Sequence, residues 1–291
     1  MRLVTFTHDG RTRIGHISSD QILDFSSASA DLPTEMVEFL EGGKRAMAVA
    51  RSIVDAGGDR IRLRDVQLEA PILRPPKILS VGLNYTAHAE ECDVDMPEVP
   101  VVFNKQTSAV NRPYGDIFLP PESEQLDYEG ELGVVIGKRC RRVPKERAID
   151  VIAGYTVIND ITIRDWQLRI SQWSMGKSWD THCPIGPAIV TPDEISDPHN
   201  LDLKVFVNDE LRQDLCTKDL YFNVFDIIAY LSTVCTLEPG DVITTGTGAG
   251  VALYMEPQKW LKVGDQVRVS ISEIGEISNS IVAEPESVAI Y

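Results

Sequence analysis

The sequence has no long hydrophobic segment and little positive charge. No apolar run reaches the roughly 18 residues that a membrane-spanning helix needs, and the first residues lack the apolar core of a signal peptide. Lysine and arginine together number 28 against 44 aspartates and glutamates, so the formal net charge is −16. These absences argue against a membrane protein and against nucleic acid as a partner, and they predict a cytoplasmic location.

Cysteine is also scarce, and its spacing is uninformative. The five cysteines are odd in number, lie far apart and include no C-x-x-C pair. This pattern predicts neither a disulfide framework nor a zinc site. We therefore expect buried, reduced thiols.

The order of predicted elements indicates a β-rich α+β protein. Residues 3–24 read as a β meander with two tight turns, and helices are predicted after Pro33 and from Lys44 to Val54. The proline pair Pro75-Pro76 forms a stiff connector. Strand-like runs dominate beyond it. We predict a small N-terminal domain over residues 1–70 and a larger, mixed β domain over residues 71–291.

Three carboxylates alternate within an otherwise apolar, β-branched segment, Leu126 to Ile136. Because side chains on a strand alternate between its faces, Asp127, Glu129 and Glu131 are expected to share one face. Three neighbouring anions repel one another unless water or a divalent cation lies among them. Hard oxygen ligands favour Mg²⁺, Mn²⁺ or Ca²⁺. A row of charges on a solvated strand face is the alternative.

A histidine and a glutamate follow the first strand of the larger domain. The chain passes through a glycine turn into a short helix that Asn84 is expected to cap. On this helix His88 and Glu91 are three residues apart and therefore lie on one face. A carboxylate so placed orients an imidazole for base catalysis. A surface ion pair is the alternative.

Another apolar strand ends abruptly at an Asn-Asp pair. Asp160 at this strand end is a candidate third metal ligand, and helix capping is its alternative role. Asp165 is the rival ligand. Arg164 and Gln167, three residues apart on the following turn or helix, are candidates to hold a carboxylate or keto oxygen of a substrate.

Two later segments carry a lysine and a glycine-rich loop. The triplet from Gly176 to Ser178 is not a P-loop, because Ser171 stands where that motif needs glycine. Lys177 is a candidate to neutralise an enolate or carboxylate, with a plain surface lysine as the alternative. The loop of residues 246–250 lets backbone N–H groups approach an anion, and Thr247 adds a hydroxyl. Its spacing suits a carboxylate better than a pyrophosphate.

In order and spacing these five motifs resemble the fumarylacetoacetate hydrolase family, over residues of about 70 to 285. The family pattern is N-Y-x-x-H-x-x-E, D-x-E-x-E-L, a strand ending N-D with R-D-x-Q after it, G-K-S and T-G-T. Here these motifs occupy residues 84–91, 127–132, 159–167, 176–178 and 245–247. The resemblance implies a mixed β-sandwich roll, preceded in some members by a small N-terminal α/β domain, and usually a homodimer.

The resemblance also implies roles for individual residues. It assigns metal binding to Glu129, Glu131 and Asp160, and leaves open whether Asp127 contacts the metal. The further assignments are a catalytic dyad of His88 and Glu91 on a mobile lid, and positions beside the substrate at Lys177, Arg164, Gln167 and Thr247.

The implied enzyme is a Mg²⁺- or Mn²⁺-dependent hydrolase that cleaves a C–C bond in a 2,4-dioxo acid. An acylpyruvate or a diketo-deoxy sugar acid would release pyruvate or a related 2-oxo acid. In this interpretation His88, polarised by Glu91, activates water, and Lys177 offsets negative charge. A decarboxylase, isomerase or hydratase of 2-oxo acids such as oxaloacetate is the alternative on the same site, and a metal-stabilised binding protein is the non-enzyme alternative.

Overall fold

The computed structural model describes residues 1–286, in which strands predominate. The strands of this range, β1 to β19 in chain order, are Arg2–His8, Arg11–Ser18, Gln21–Asp24, Arg60–Arg62, Gln67–Leu68, Ile78–Gly82, Val101–Lys105, Val110–Asn111, Ile117–Leu119, Leu126–Asp127, Gly130–Ile136, Ile152–Asn159, Thr162–Ile163, Cys183–Val190, Asp202–Val207, Glu210–Cys216, Val242–Thr244, Gln266–Ile271 and Gly275–Ala283. The α-helices, α1 to α7, are Phe25–Ala28, Met36–Glu41, Gly43–Ala56, Thr86–Glu91, Arg164–Gln167, Ser174–Lys177 and Val224–Val234.

Two large sheets form the frame of the molecule. Within residues 1–286, one sheet has the order β4-β3-β2-β1-β14-β12-β11-β17-β6-β7, and the other has the order β16-β15-β18-β19-β9. Pairing is mixed, since β11 runs antiparallel to β12 whereas β17 runs parallel to β6. β10 and β13 form a small separate pair. The predicted β-rich, mixed fold is confirmed.

Strand β11 is central and buried on both faces. Leu132 and Val134 pack with residues of the second sheet, such as Val205, while Val135 packs into a cluster that includes Phe39 of α2. Full burial of one such side chain stabilises the fold by about 1.5–3 kcal/mol. The strand that carries Glu131 is therefore fixed from both sides.

The N-terminal strands join the same sheet as the rest of the chain. The predicted meander is confirmed: β1 pairs with β2, and β2 with β3, all antiparallel. β1 also pairs with β14, with Leu3 opposite Ile189, so one sheet continues from residue 2 through strands beyond residue 70. The boundary near residue 70 stays a prediction.

The structure shows how deeply each of the five cysteines is buried. All five cysteines are free, but only Cys183 is buried, and the other four are half-buried. The expectation of buried thiols is therefore wrong for most of them.

Among residues 1–286, no helix is long and apolar enough to cross a membrane.

Candidate active site

Three buried carboxylates meet where β11 and β12 lie side by side. Gly130 pairs with Asn159, so the residues that flank this pair are neighbours, and the Asp160 N–H donates to the Glu129 carbonyl at 2.8 Å. One oxygen each of Glu129, Glu131 and Asp160 lies within 4.8 Å of the others. All three residues are at most 5% exposed. The structure thus brings together the three carboxylates that the sequence predicts as metal ligands.

The pKa values of this carboxylate cluster shift in opposite directions. Burial raises the pKa of Glu131 well above its usual range, and the charges of Asp160 and Glu129 raise it further. Burial alone would also raise the pKa of Glu129, but Lys177 and Arg164 outweigh it and lower the pKa to about 2. Three crowded carboxylates with one reluctant to ionise are a donor set that fits a hard divalent cation such as Mg²⁺ or Mn²⁺.

Two buried lysines contact the cluster. The Nζ of Lys177, at the end of α6, lies 2.6 Å from Glu129 Oε2 and 3.0 Å from Asp160 Oδ2. The Nζ of Lys105, at the end of β7, lies 2.6 Å from Asp160 Oδ1 and also donates to the Lys177 carbonyl. Lys177 is 2% exposed, so it is not a surface lysine. Sequence reasoning missed Lys105, although a lysine that ends an apolar strand is a usable signal.

Asp127 lies outside the cluster, and the expectation of a shared face is wrong. The chain breaks between β10, which ends at Asp127, and β11, which begins at Gly130, so strand alternation does not extend across the segment. The Asp127 carboxylate instead accepts from Arg164 Nε at 2.8 Å and from the backbone N–H of Ala252 at 2.8 Å. It anchors Arg164.

Arg164 links the cluster to a neighbouring amide. Its Nη2 lies 2.8 Å from Glu129 Oε1, and its Nη1 donates to Gln167 Oε1 at 2.9 Å. The predicted neighbours Arg164 and Gln167 are therefore together on α5, both buried. The rival ligand Asp165, on the same helix, accepts from Ser123 Oγ at 2.5 Å instead.

Helix α4 presents the predicted dyad. His88 Nδ1 lies 2.9 Å from Glu91 Oε2, and Glu91 Oε1 accepts from the Gly250 N–H at 2.9 Å. His88 is 7% exposed, which distinguishes the dyad from a surface ion pair. Burial alone would lower the pKa of His88, but the contacts with Cys92 and Glu91 outweigh it and raise the pKa to about 9.

Asn84 does not cap α4, contrary to the expectation from the sequence. The N-cap is Tyr85. The Asn84 side chain instead donates to the carbonyls of Thr245 at 2.7 Å and Phe222 at 3.0 Å, and it accepts from the Phe222 N–H at 2.8 Å. It connects the start of α4 to two distant segments of the chain.

The glycine-rich loop binds carboxylates, but they belong to the site itself. Gly246 has a φ of +95°, a conformation that favours glycine, and its N–H donates to Glu131 Oε2 at 2.6 Å. Gly250 holds Glu91 in the same way. Thr247 donates to the Gly130 carbonyl and accepts from Gln213 Nε2, both at 2.9 Å. Gln213 carries no local sequence signal, since its partners lie far along the chain.

Six of the nine predicted site residues line one small cavity of about 90 Å³. Those that line it include His88, Glu129, Arg164, Gln167, Lys177 and Thr247. Glu131 and Asp160 belong to the carboxylate cluster with Glu129, and Glu91 contacts His88. Pockets for drug-sized ligands measure roughly 300–1,000 Å³, so this cavity suits a small molecule.

Comparison with known proteins identifies the family of this chain. Residues 77–282 match the family profile described as fumarylacetoacetate (FAA) hydrolase, C-terminal. The chain belongs to the fumarylacetoacetate hydrolase family. It is 42% identical over 288 residues to a mitochondrial oxaloacetate tautomerase of Xenopus laevis, a match that covers 97% of this chain and 90% of that protein.

Solved structures of this family share the fold over nearly the whole chain. A maleylpyruvate hydrolase from Sphingobium, solved with manganese(II) and pyruvate, is 32% identical with a TM-score of 0.83. A 5-carboxymethyl-2-hydroxymuconate delta-isomerase from Mycobacterium smegmatis is 33% identical with a TM-score of 0.78. Each match covers 98% of this chain and 100% of the other. Hydrolases and isomerases therefore both occur among its relatives.

Proposed function

We propose that this protein is a metal-dependent isomerase that interconverts the keto and enol forms of a 2-oxo acid. The observation that carries the proposal is that His88 of the dyad and Glu129 of the carboxylate cluster line the same cavity. Such an arrangement places a base beside a site able to stabilise an enolate. The similarity to the oxaloacetate tautomerase makes oxaloacetate the first substrate to test.

Glu129, Glu131 and Asp160 are the residues that would hold the divalent cation. A bound cation supplies a Lewis acid for the carboxylate and keto oxygens of the substrate. The lysines then have distinct tasks: Lys105 orients the Asp160 carboxylate, and Lys177 offsets negative charge as the enolate forms.

The dyad performs the proton transfer. Glu91 accepts a hydrogen bond from His88 Nδ1, which leaves Nε2 as the basic nitrogen. This nitrogen takes a proton from C3 of the substrate, and the C–H electron pair becomes the C2–C3 double bond of the enolate. Returning the proton to the oxygen at C2 gives the enol. A positioned base of this kind contributes typically 10²–10⁴-fold to the rate.

Cleavage of a C–C bond, the activity expected from the sequence, is the second candidate. The similarity to the maleylpyruvate hydrolase favours it. Hydrolysis of a 2,4-dioxo acid uses the same enolate site and requires in addition a water that His88 activates for attack on the C4 carbonyl. The relatives of higher identity are tautomerases, so isomerisation is the better supported activity.

A direct assay separates the two activities. Oxaloacetate tautomerisation is followed by the decay of enol absorbance, and dioxo-acid cleavage by release of pyruvate from acylpyruvates, each with Mg²⁺, Mn²⁺ or a chelator. We expect metal-dependent tautomerisation. Pyruvate release without tautomerisation would replace the proposal with the hydrolase, and CO₂ release from oxaloacetate alone would replace it with a decarboxylase.

Two further properties are proposals of the same kind. We propose a homodimer, which light scattering on the purified protein tests. The sequence predicts a cytoplasmic location, whereas several relatives are named as mitochondrial proteins. Cell fractionation with an antibody to the protein decides between these compartments.

A further inference from the structure

The pocket has an apolar wall beside its polar groups. The wall consists of Val81, Phe103, Leu168, Trp173 and Leu253, all of which line the cavity. Phe103 lies next to the cluster, because Lys177 Nζ is 5.1 Å from the centre of its ring. Trp173 packs edge-on against Phe103 with ring centres 5.5 Å apart. A substrate bound at the cluster therefore meets aromatic surface next to it.

The apolar wall is fixed in place and reaches the mouth of the pocket. A Cβ atom at Gly82 would lie 2.5 Å from Cζ3 of Trp173, so the indole lies directly on the backbone of β6. Leu168 lines the cavity and is also 62% exposed, which places it at the entrance. The wall is thus a preformed surface for an apolar group.

The cations of the pocket are already paired with the site's own carboxylates. Arg164 binds Asp127, Glu129 and Gln167, and Lys177 binds Glu129 and Asp160. Among the described residues, the lining of the cavity contains no other lysine or arginine. A second carboxylate on the substrate would therefore lack a cation of its own.

The charge balance leads to the same conclusion. Among the described residues of the cluster and its surroundings, four buried carboxylates face three buried cations: Asp127, Glu129, Glu131 and Asp160 against Lys105, Arg164 and Lys177. With all four carboxylates ionised, a divalent cation held there would leave one net positive charge, which one substrate carboxylate would neutralise. The His88–Glu91 pair adds no positive charge in either protonation state of the imidazole. A second carboxylate would bring an unpaired charge against apolar surface, which is strongly unfavourable.

We propose that the apolar wall receives an alkyl or aryl group of the substrate, so that this chain acts on 2-oxo acids with one carboxylate in preference to diacids. The inference rests on the proposed keto–enol isomerisation and specifies its substrate class. 2-Oxo-4-methylpentanoate has such a tail and an exchangeable hydrogen at C3. Oxaloacetate is the matched diacid.

The test compares turnover and binding for the two classes. Turnover is the rate of hydrogen–deuterium exchange at C3 in D₂O, measured by NMR in the presence of Mg²⁺ with the spontaneous rate subtracted. Binding is measured by calorimetry with two acids that have no hydrogen at C3, phenylglyoxylate and the diacid oxomalonate. We expect kcat/KM for 2-oxo-4-methylpentanoate to exceed that for oxaloacetate by about tenfold or more, and phenylglyoxylate to bind more tightly.

One substitution reverses the expected preference. Leu168→Arg places a cation at the exposed end of the apolar wall and should raise kcat/KM for oxaloacetate, relative to the apolar acid, by about tenfold. Leu211→Arg on β16 is the matched control, because Leu211 is 45% exposed and does not line the cavity. This control should leave kcat/KM for oxaloacetate, relative to that for the apolar acid, unchanged.

The outcomes distinguish this inference from the proposed function. Exchange of oxaloacetate but not of 2-oxo-4-methylpentanoate, or tighter binding of oxomalonate, overturns the apolar specificity and leaves the isomerase standing. Exchange of neither acid overturns the isomerase and the specificity together. An unchanged ratio in Leu168→Arg removes the apolar wall as the determinant.

Discussion

The two sides of the active-site pocket are held in very different ways. The carboxylate cluster lies at the ends of β11 and β12, in the middle of the main sheet, and its atoms bond to side chains and backbone from several segments. The other side is α4, a helix of six residues. Helices this short are not stable alone, and Asn84 and Glu91 tie this one to neighbouring loops. Metal binding and proton transfer should therefore be separable by mutation.

The largest effect is expected on the carboxylate side. Glu129→Ala removes a ligand and one of the buried carboxylate partners of both Lys177 and Arg164, which keep Asp160 and Asp127 respectively. We expect loss of bound metal, loss of activity of about a thousandfold, and a stability loss of about 3–5 kcal/mol. Metal content, turnover and thermal unfolding measure the three effects. The control is Glu276→Ala, which removes a carboxylate from a solvent-accessible ion pair. Full turnover in metal-free variant protein would contradict the assignment.

On the α4 side, metal binding should survive mutation. His88→Ala removes the base but no candidate ligand, so turnover should fall by about 10²–10⁴-fold while Mn²⁺ affinity, measured by calorimetry, stays unchanged. His8→Ala, on β1, provides a histidine control outside the pocket. An unaltered kcat would exclude His88 from the mechanism, and loss of Mn²⁺ binding would show that the two sides are not separable.

A smaller effect on the α4 side is expected in the pH dependence of kcat/KM. The pKa of His88 is raised to about 9, so the basic form increases as the pH rises towards that value, and kcat/KM should rise with it and then level off. Glu91→Gln removes the charge that favours imidazolium and should move the inflection to lower pH by about 1–3 units. Glu90→Gln, on the exposed side of α4, is the control. An inflection that stays in place would show that Glu91 does not tune His88.

The smallest effect is expected for Asn84, whose side chain connects the start of α4 to Phe222 and Thr245. Asn84→Ala removes hydrogen bonds to Thr245 and Phe222 without touching the cluster. We expect a stability loss of about 1–3 kcal/mol in denaturant unfolding, because buried backbone groups lose their partner, with Mn²⁺ affinity retained. Asn200→Ala changes an exposed asparagine and serves as control. A stability equal to wild type would mean that water replaces the side chain.

The sequence predicted the strands, turns and contacts that depend on residues close together in the chain. The turns of the N-terminal meander lie beside the strands that they connect, so the three strands could be read directly. His88 and Glu91 meet because helical spacing alone brings them together. Glu129, Glu131 and Asp160 sit close to the ends of two strands that are paired in register.

The remaining contacts depend on pairing between distant segments, which spacing does not reveal. Asp127 does not share a strand face with Glu129 and Glu131, because β10 pairs with β13 and does not continue into β11. Asn84 finds its partners at Phe222 and Thr245, more than a hundred positions along the chain. Lys105 reaches Asp160 from a different strand for the same reason.

The pairing of β1 with β14 has a consequence for protein handling. β14 pairs with β12, with β8 through Cys183 and Pro184, and with β1 through Ile189 and Val190, so a shortened chain that begins at residue 71 would leave Ile189 and Val190 without their β1 partner. Exposed edges of buried strands template intermolecular association. We therefore expect residues 71–291 expressed alone to yield less soluble protein than the full chain, even though the cavity, the dyad and the carboxylate cluster all lie outside the deleted residues.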